Sequence, residues 1–224
     1  MTPTRCAGER PLRRDAERNR RRILRAAADV FTHRGLDATL DDVAREAGVG
    51  VGTVYRRFPD KESLVAELFA DRIDTMVAVA ERACAAPDPW QGLVSYLEYA
   101  AQVLATDQGL RQLMMFATYG RDRVAYAREQ MRPVISKLVK RAQEAGELRA
   151  DFSATDVPII AFMLAAAAEY TTPVQPDLWR RYLVLIIDAL RAARDGAAEL
   201  PTPALTPLEM EQAMRAGGQR AARR

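Results

Sequence analysis

The chain has 224 residues, of which 49% are hydrophobic and 28% are charged, proportions typical of a soluble globular protein. Charges or prolines interrupt every long apolar stretch, and no apolar segment follows the arginine-rich N-terminus, so neither a membrane span nor a secretory signal is indicated. The net charge is only +3, but residues 1–61 hold 14 Lys and Arg against 9 Asp and Glu, whereas residues 62–224 hold 19 against 21. This basic N-terminal part predicts a polyanionic partner. Two cysteines, Cys6 and Cys84, exclude a disulfide framework and favour a cytoplasmic protein.

Residues 1–14 contain two prolines, one glycine and four arginines with few apolar side chains, and they predict a flexible basic arm. Such an arm either lies along the minor groove or phosphates of DNA or is a solvated tail without a role, and the sequence leaves both open. The next segment, 15–33, predicts a helix because apolar residues recur three and four positions apart. These residues are Ile23, Ala26, Ala27, Val30 and Phe31.

Residues 39–58 predict two short helices joined by a tight turn. Thr39 followed by Asp42 predicts a capping box at the start of the first helix, and Gly48 suits a left-handed turn after it. The second helix has an inner apolar set that includes Val54 and Phe58, and it carries polar and cationic groups elsewhere. Two short helices with a glycine-containing turn form a helix-turn-helix pattern.

The remaining chain shows helical periodicity and no strand alternation. Asp60 predicts the N-cap of a helix that runs to about Cys84, and further helices are predicted at 90–106, 108–119, 122–145, 154–170 and 177–194. Pro133 predicts a kink or local unwinding. Residues 195–224 predict a disordered tail with a short helix near 208–215. The fold class is therefore all-α, with about nine helices: a helix-turn-helix domain at 15–62 and a larger domain at 63–194.

The segment ILRAAADVFTHRGLDATLDDVAREAGVGVGTVYRRFPDKESLV, at residues 23–65, resembles the TetR family of one-component transcriptional repressors. Each sequence block of the family occurs at its usual spacing, whereas the rest of the chain agrees in length and helical character alone. The resemblance implies a homodimer whose second short helix enters the major groove of a double-stranded DNA operator. It also implies an effector-binding and dimerisation domain at 63–194.

The resemblance carries DNA contacts to particular positions. The N-terminus of the reading helix comes closest to base edges, Thr39 and Lys61 bind phosphate, and the remaining residues reach phosphate or bases. These residues are Thr39, Arg45, Gly50, Val51, Gly52, Thr53, Tyr55, Arg56 and Lys61. Many relatives have serine where this chain has Gly50, so base reading here depends more on Arg56, Thr53, Arg45 and DNA shape.

The family also implies a pocket for a small apolar or aromatic effector. Bulky side chains of the larger domain are candidates to line it, although the same residues can simply fill the core: Phe69, Met76, Trp90, Tyr96, Tyr99, Met114, Met115, Phe116, Tyr119 and Phe162. The last two helices predict the dimer face, because small residues and an apolar stripe suit a four-helix bundle between two copies. Its candidate residues are Phe162, Ala166, Trp179, Leu183, Ile186, Ile187 and Leu190.

Other classes of function have little support in the sequence. The single histidine, His33, lies in the DNA-binding region, and no catalytic constellation or metal-ligand cluster can be built elsewhere. The Gly50–Gly52 run follows no predicted strand and is not a nucleotide loop, so neither an enzyme nor a cofactor is expected. A helical protein-interaction adaptor explains the last helices but not the basic helix-turn-helix. The sequence therefore predicts a ligand-released repressor, with a regulator that has no small-molecule inducer as the alternative.

Overall fold

The computed structural model describes residues 9–116, 121–192 and 200–221. Within these ranges the regular structure is ten α-helices, one 3-10 turn at Gly35–Asp37 and an isolated bridge between Leu148 and Arg191. The predicted all-α class is confirmed. The helices are α1 (Glu9–Arg34), α2 (Leu40–Ala47), α3 (Val51–Arg57), α4 (Lys61–Cys84), α5 (Pro89–Thr106), α6 (Gln108–Phe116), α7 (Arg121–Glu144), α8 (Asp156–Thr171), α9 (Trp179–Leu190) and α10 (Pro207–Ala221).

The first three helices enclose a small apolar core. Helix α2 packs against both α1 and α3, and the buried residues between them include Ile23, Phe31, Val43, Val54 and Phe58. Burial of these side chains is what holds helices this short in place, because isolated helices of seven or eight residues are not stable in water.

Helix α1 begins six residues earlier than predicted. Residues 9–14 were expected to belong to a flexible arm, but they form the first turns of α1, and that prediction is wrong for them. Pro11 lies in the first turn, where its missing N–H removes no intrahelical hydrogen bond. Residues 1–8, which complete the predicted arm, lie outside the described residues.

The larger part of the chain is a layered helical assembly around α4 and α5. Helix α4 packs against α5 and α7, α5 packs against α8, and α8 packs against α9. The start of α4 is capped by Asp60, whose Oδ1 accepts a hydrogen bond from the Ser63 amide at 2.7 Å, and the helix ends at Cys84 as predicted. Helix α7 runs through Pro133 without interruption, so local unwinding, one of the two predicted outcomes, is wrong, and the other, a kink, stays a prediction.

The C-terminal segment is ordered over 200–221, so the predicted disordered tail is wrong for this range. The Thr155 hydroxyl donates to the Leu205 carbonyl oxygen at 2.6 Å, and α10 then packs against α6 and buries Met210. The short helix predicted near 208–215 lies within α10. No helix in the described ranges is both long enough and apolar enough to cross a membrane.

Candidate nucleic-acid interface

Local interactions define both ends of α2. The Asp42 amide donates to the Thr39 hydroxyl at 3.2 Å, and Oδ2 of Asp42 accepts the Thr39 amide at 2.9 Å, which completes the predicted capping box. At the other end Gly48 adopts the left-handed conformation, with φ 62° and ψ 38°, and its amide donates to carbonyls of the last turn. The turn that precedes α3 therefore begins at Gly48, whose backbone conformation these hydrogen bonds fix.

The Asp42 carboxylate joins the helix-turn-helix to α1. Its oxygen lies 3.2 Å from the Arg34 guanidinium and 3.0 Å from that of Arg45. The hydrogen bonds from the backbone and hydroxyl of Thr39, together with Arg34, hold the pKa of Asp42 well below its usual range. Arg45 is exposed, as a DNA contact requires, but its guanidinium forms an ion pair with Asp42 in this conformation.

Helix α3 buries one side and presents the other. Val54 and Phe58 are buried, whereas Val51 is 41% and Tyr55 48% exposed. Gly50 is the N-cap and makes no side-chain cap bond, and a Cβ built on Gly52 would meet no atom within 4 Å. Gly50 and Gly52 thus leave the backbone uncovered on either side of Val51, which permits close approach by a ligand at these two positions.

The structure brings most of the predicted reading residues together. The exposed face of α3 comprises Val51, Gly52, Tyr55 and Arg56, since Tyr55 lies four positions after Val51 and Arg56 four after Gly52, and positions three and four apart are neighbours on a helix surface. Thr53 is on the flank of this face, and its hydroxyl accepts a hydrogen bond from the Arg56 guanidinium at 3.2 Å. This bond holds the Arg56 side chain along the helix.

Lys61 does not point outward as predicted. Its ammonium donates to the Leu36 carbonyl oxygen and lies 5.8 Å from the centroid of the Phe31 ring. Desolvation lowers the pKa of Lys61. The predicted phosphate contact of Lys61 is therefore not supported, because the side chain joins the start of α4 to the 3-10 turn instead.

Sequence reasoning missed Arg22, which lies on α1 beside the turn. One terminal nitrogen, Nη2, donates to the carbonyl oxygens of Ala47 at 2.8 Å and Gly48 at 3.3 Å. No local spacing could have indicated this contact, since the residues are 25 and 26 positions apart in the chain. The contact from Arg22 to the turn depends on how α1 packs across α2.

The predicted pocket lining coincides with the hydrophobic core. Phe69, Met76, Trp90, Tyr96 and Met114 are buried, and Tyr99, Met115 and Phe162 are partly buried. Burial raises the pKa of the Tyr96 hydroxyl. Phe116 lies on α6 but its side chain is outside the description, as is the whole of Tyr119. A pocket at these residues stays a prediction.

Two buried charged residues link α6 to the rest of the larger domain. Asp107 accepts the Leu110 amide at 2.9 Å and pairs with Arg72 of α4. Arg111 donates to the Leu104 carbonyl at 3.0 Å and pairs with Glu169 of α8 at 2.9 Å. Burial raises the pKa of Asp107 against the opposing effects of the Leu110 amide and these cations.

The predicted dimer face needs a correction. Trp179, Leu183 and Leu190 are buried within the protomer and offer no surface to a second copy. Phe162, Ile186 and Ile187 are partly buried, and Ala166 is exposed. The exposed apolar residues of these two helices lie at other positions: Ile159, Met163 and Tyr170 on the Ala166 side of α8, and Tyr182, Val184 and Leu185 on α9.

The described ranges contain no group of three or more His, Cys, Asp and Glu side chains placed to hold a metal ion. The only histidine of the sequence, His33, has Nδ1 2.8 Å from the Asp29 carbonyl oxygen on the outside of α1. Cys84 is a buried free thiol at the end of α4.

Two family models match the chain. The model described as bacterial regulatory proteins, tetR family, matches residues 23–68, and that described as transcriptional regulator SbtR-like, C-terminal domain, matches residues 88–192. A curated uncharacterized HTH-type transcriptional regulator of Mycobacterium bovis is 31% identical over 132 residues, which are 57% of this chain and 68% of the relative. A regulator of Mycobacterium tuberculosis is 49% identical over 53 residues, which are 23% of this chain and 28% of that regulator's length.

Solved structures match this chain over almost the whole length of the solved protein. A TetR transcription regulatory protein from Mycobacterium vanbaalenii has 32% identity and a TM-score of 0.52, with 81% of this chain and 99% of that chain covered. A TetR transcriptional regulator from Streptomyces coelicolor has 29% identity and a TM-score of 0.51, covering 78% and 99%. The fold alone is shared with FadR from Bacillus subtilis, solved in complex with stearoyl-CoA: 16% identity, TM-score 0.56, covering 77% and 98%.

Proposed function

The chain belongs to the TetR family of DNA-binding transcriptional regulators, and we propose that it is a cytoplasmic, homodimeric repressor that a small apolar or aromatic ligand releases from its operator. Its relatives are regulators rather than enzymes. The observation that carries the proposal is the exposed face of α3, where Val51, Gly52, Tyr55 and Arg56 stand clear of the protein.

Operator reading by α3 is supported by its shape and chemistry. A helix with a glycine-rich start can enter the major groove closely, and its side chains then meet base edges and phosphates. Tyr55 supplies a hydroxyl and a ring, and Arg56 supplies a guanidinium that matches guanine or phosphate. The start of α2, at Thr39, adds helix amides that favour an anion.

The direct test measures binding of a fluorescent duplex from the promoter region beside the protein's own gene. We expect Tyr55→Ala to weaken binding roughly tenfold, as loss of one good DNA contact does, with an unchanged far-UV circular dichroism spectrum. Tyr126→Ala is the matched control, since Tyr126 is 56% exposed on α7, far along the chain from the helix-turn-helix. Equal binding by wild type and Tyr55→Ala would show that α3 is not the reading helix.

The homodimer is supported by the exposed apolar face of α8 and α9. Ile159, Met163, Ala166 and Tyr170 recur at helical spacing along α8, and Tyr170 is 88% exposed. Contiguous apolar surface of this kind marks an interface, and a two-fold axis lets the same face meet its copy. Two reading helices would then reach two half-sites of a symmetric operator.

Sedimentation analysis at micromolar concentration tests the dimer. We expect the wild type to sediment as a dimer and Met163→Lys as a monomer, because the interface would bury an unpaired ammonium. Tyr126→Lys is the control, since its exposed fraction of 56% is close to the 58% of Met163. A monomeric wild type, or a dimeric Met163→Lys, would contradict this interface.

Release by a ligand is supported by the way α6 touches both parts of the chain. The Gln112 side-chain oxygen on α6 accepts the Leu36 amide at 2.5 Å, and Gly109 lies so close to α1 that a Cβ there would be 2.9 Å from the Phe31 carbonyl. A ligand that displaced α6 would therefore strain the DNA-binding part, which is how differential affinity for two states is communicated.

A ligand search distinguishes the inducible repressor from a regulator without an inducer. FadR, a protein of the same fold, was solved with stearoyl-CoA, so fatty acids, which share the apolar acyl chain of that ligand, and aromatic compounds are the first probes. We expect at least one compound to raise the melting temperature of the protein and to release the fluorescent operator. A compound that binds without releasing the operator, or the absence of any binder in both classes, would favour the alternative.

A further inference from the structure

Arg22 caps the C-terminal end of α2 from a different helix. The last carbonyl groups of a helix lack intrahelical partners, and here Nη2 of Arg22 donates to those of Ala47 at 2.8 Å and Gly48 at 3.3 Å. A cation is also favoured at this end by the helix dipole. The guanidinium therefore holds the first residue of the turn that leads into α3.

Gly48 leaves room for this approach. A Cβ built at position 48 would lie 3.3 Å from Nη2 of Arg22, which is tighter than ordinary contact. The same glycine has the left-handed backbone conformation that ends α2. The turn and the arginine are thus fitted to each other.

The orientation of α3 depends heavily on this turn. Helix α3 has seven residues, packs chiefly against α2, and buries only Val54 among them. Its N-cap, Gly50, contributes no side-chain bond. With so little surface of its own to hold it, the reading helix takes its direction from the residues that flank it: the turn before it and the buried Phe58 after it.

Helix α1 is itself tied to the frame of the molecule. Arg20, two residues before Arg22, pairs with Glu67 of α4 at 2.8 Å, and Arg57 at the end of α3 lies 3.8 Å from the same carboxylate. Helix α1 is therefore connected to the N-terminal side of α3 through Arg22 and the turn, and to the C-terminal side of α3 through Glu67. Charged side chains of other helices therefore lie at both ends of α3: Arg22 at the preceding turn and Glu67 at the C-terminal end.

We infer that Arg22 is a positioning residue for the reading helix: its guanidinium fixes the α2–α3 turn through the Ala47 and Gly48 carbonyls and thereby sets operator specificity without contacting DNA. The inference rests on the operator binding proposed above. The competing role for an exposed arginine in this region is a direct phosphate contact.

The two roles predict different salt dependences. A plot of log affinity against log salt concentration falls with a negative slope. Each phosphate contact that is lost makes this slope less steep by about 0.9 and weakens binding to all sequences alike. Loss of a positioning residue leaves that slope unchanged and weakens binding to the operator selectively. Arg22→Met keeps most of the aliphatic stem and removes the donors, so it separates these outcomes.

The experiment uses the full chain and two duplexes of equal length, one recovered by selection with the wild type and one of random sequence. For Arg22→Met we expect operator affinity to fall roughly tenfold (about 1.4 kcal/mol), random-sequence affinity to stay within twofold, and the salt slope to stay unchanged. Arg21→Met is the matched control: it removes the same charge next door, where the guanidinium pairs with Glu17 at 3.1 Å.

A fall in both affinities with a shallower salt slope would overturn the inference in favour of a phosphate contact. An equal loss in Arg21→Met would overturn it in favour of general electrostatics. Stoichiometric titration of operator gives the active fraction and separates misfolding from weak binding. If Arg22→Met does not fold, Arg22→Lys decides, because a lysine replaces a phosphate contact fully but reaches the two carbonyls poorly. A wild type without operator preference would instead refute the proposed function.

Discussion

Replacing Val54 by alanine removes two methyl groups from the buried side of α3. Val54 is fully buried and is the only residue within α3 that is. At about 0.8 kcal/mol for each buried carbon the transfer cost is roughly 1.6 kcal/mol, and the cavity left behind raises the expected loss to about 2–3 kcal/mol. We expect urea unfolding to report this loss in the free energy of unfolding.

The same substitution at Val51, one turn earlier on α3, is the matched control. Val51 is 41% exposed on the face proposed to read DNA, and alanine has the better helix propensity, so we expect stability to change by less than about 0.5 kcal/mol. Operator affinity, measured by anisotropy, is instead expected to fall. If Val51→Ala lost as much stability as Val54→Ala, or if Val54→Ala lost none, the assignment of inner and outer faces of α3 would be refuted.

Three further predictions concern other parts of the chain. A Cβ at Gly92 would lie 2.4 Å from a backbone carbonyl oxygen of α4, so we expect Gly92→Ala to lower the melting temperature by several degrees, whereas Gly52→Ala, which meets open space, leaves it unchanged or raises it. Because the folded pKa of Asp42 is depressed, its stabilisation is complete above the unfolded pKa of about 3.9 and is lost as pH falls from there toward the folded pKa. Asp42→Asn is expected to flatten the fall in unfolding free energy between about pH 4 and pH 2. Met210→Asp places a charge where α10 packs on α6, and we expect faster amide exchange in α6, with no change if α10 does not dock there.

Local signals accounted for the parts of the fold that the sequence predicted well. The capping box of Thr39 and the left-handed Gly48 each depend on residues within a few positions, and both are confirmed. Helix α4 was bounded correctly because Asp60 caps its first turn. The helix-turn-helix was therefore readable before any tertiary contact was known.

Most features that the sequence did not predict depend on contacts between residues far apart in the chain. Lys61 carries an ordinary surface side chain in sequence, yet a carbonyl 25 residues earlier draws its ammonium inward. Arg22 reaches across a similar separation. The tail has the prolines and glycines of a disordered segment. Long-range contacts fix 200–221 instead: α10 packs on α6 and buries Met210, and the Thr155 hydroxyl donates to the Leu205 carbonyl oxygen.

Helix α9 shows a different limit. It is apolar on more than one side, so periodicity could not say whether Leu183 or Leu185 faces the core; Leu183 is buried and Leu185 is exposed. We therefore propose the flank with Tyr182 and Leu185 as the face of α9 toward a second copy. The aromatic residues predicted to line a pocket raise the same question, because lining and filling a core require the same side chains.

Competition binding tests the central claim most directly. The wild-type protein is mixed with a fluorescent duplex from the promoter region beside its gene and is challenged with unlabelled duplexes of the same sequence or of random sequence. A TetR-family regulator that reads its operator through the face of Tyr55 and Arg56 is expected to prefer its own sequence by roughly 10³-fold or more at physiological salt. Equal competition by the random-sequence duplex would contradict sequence-specific regulation by this chain.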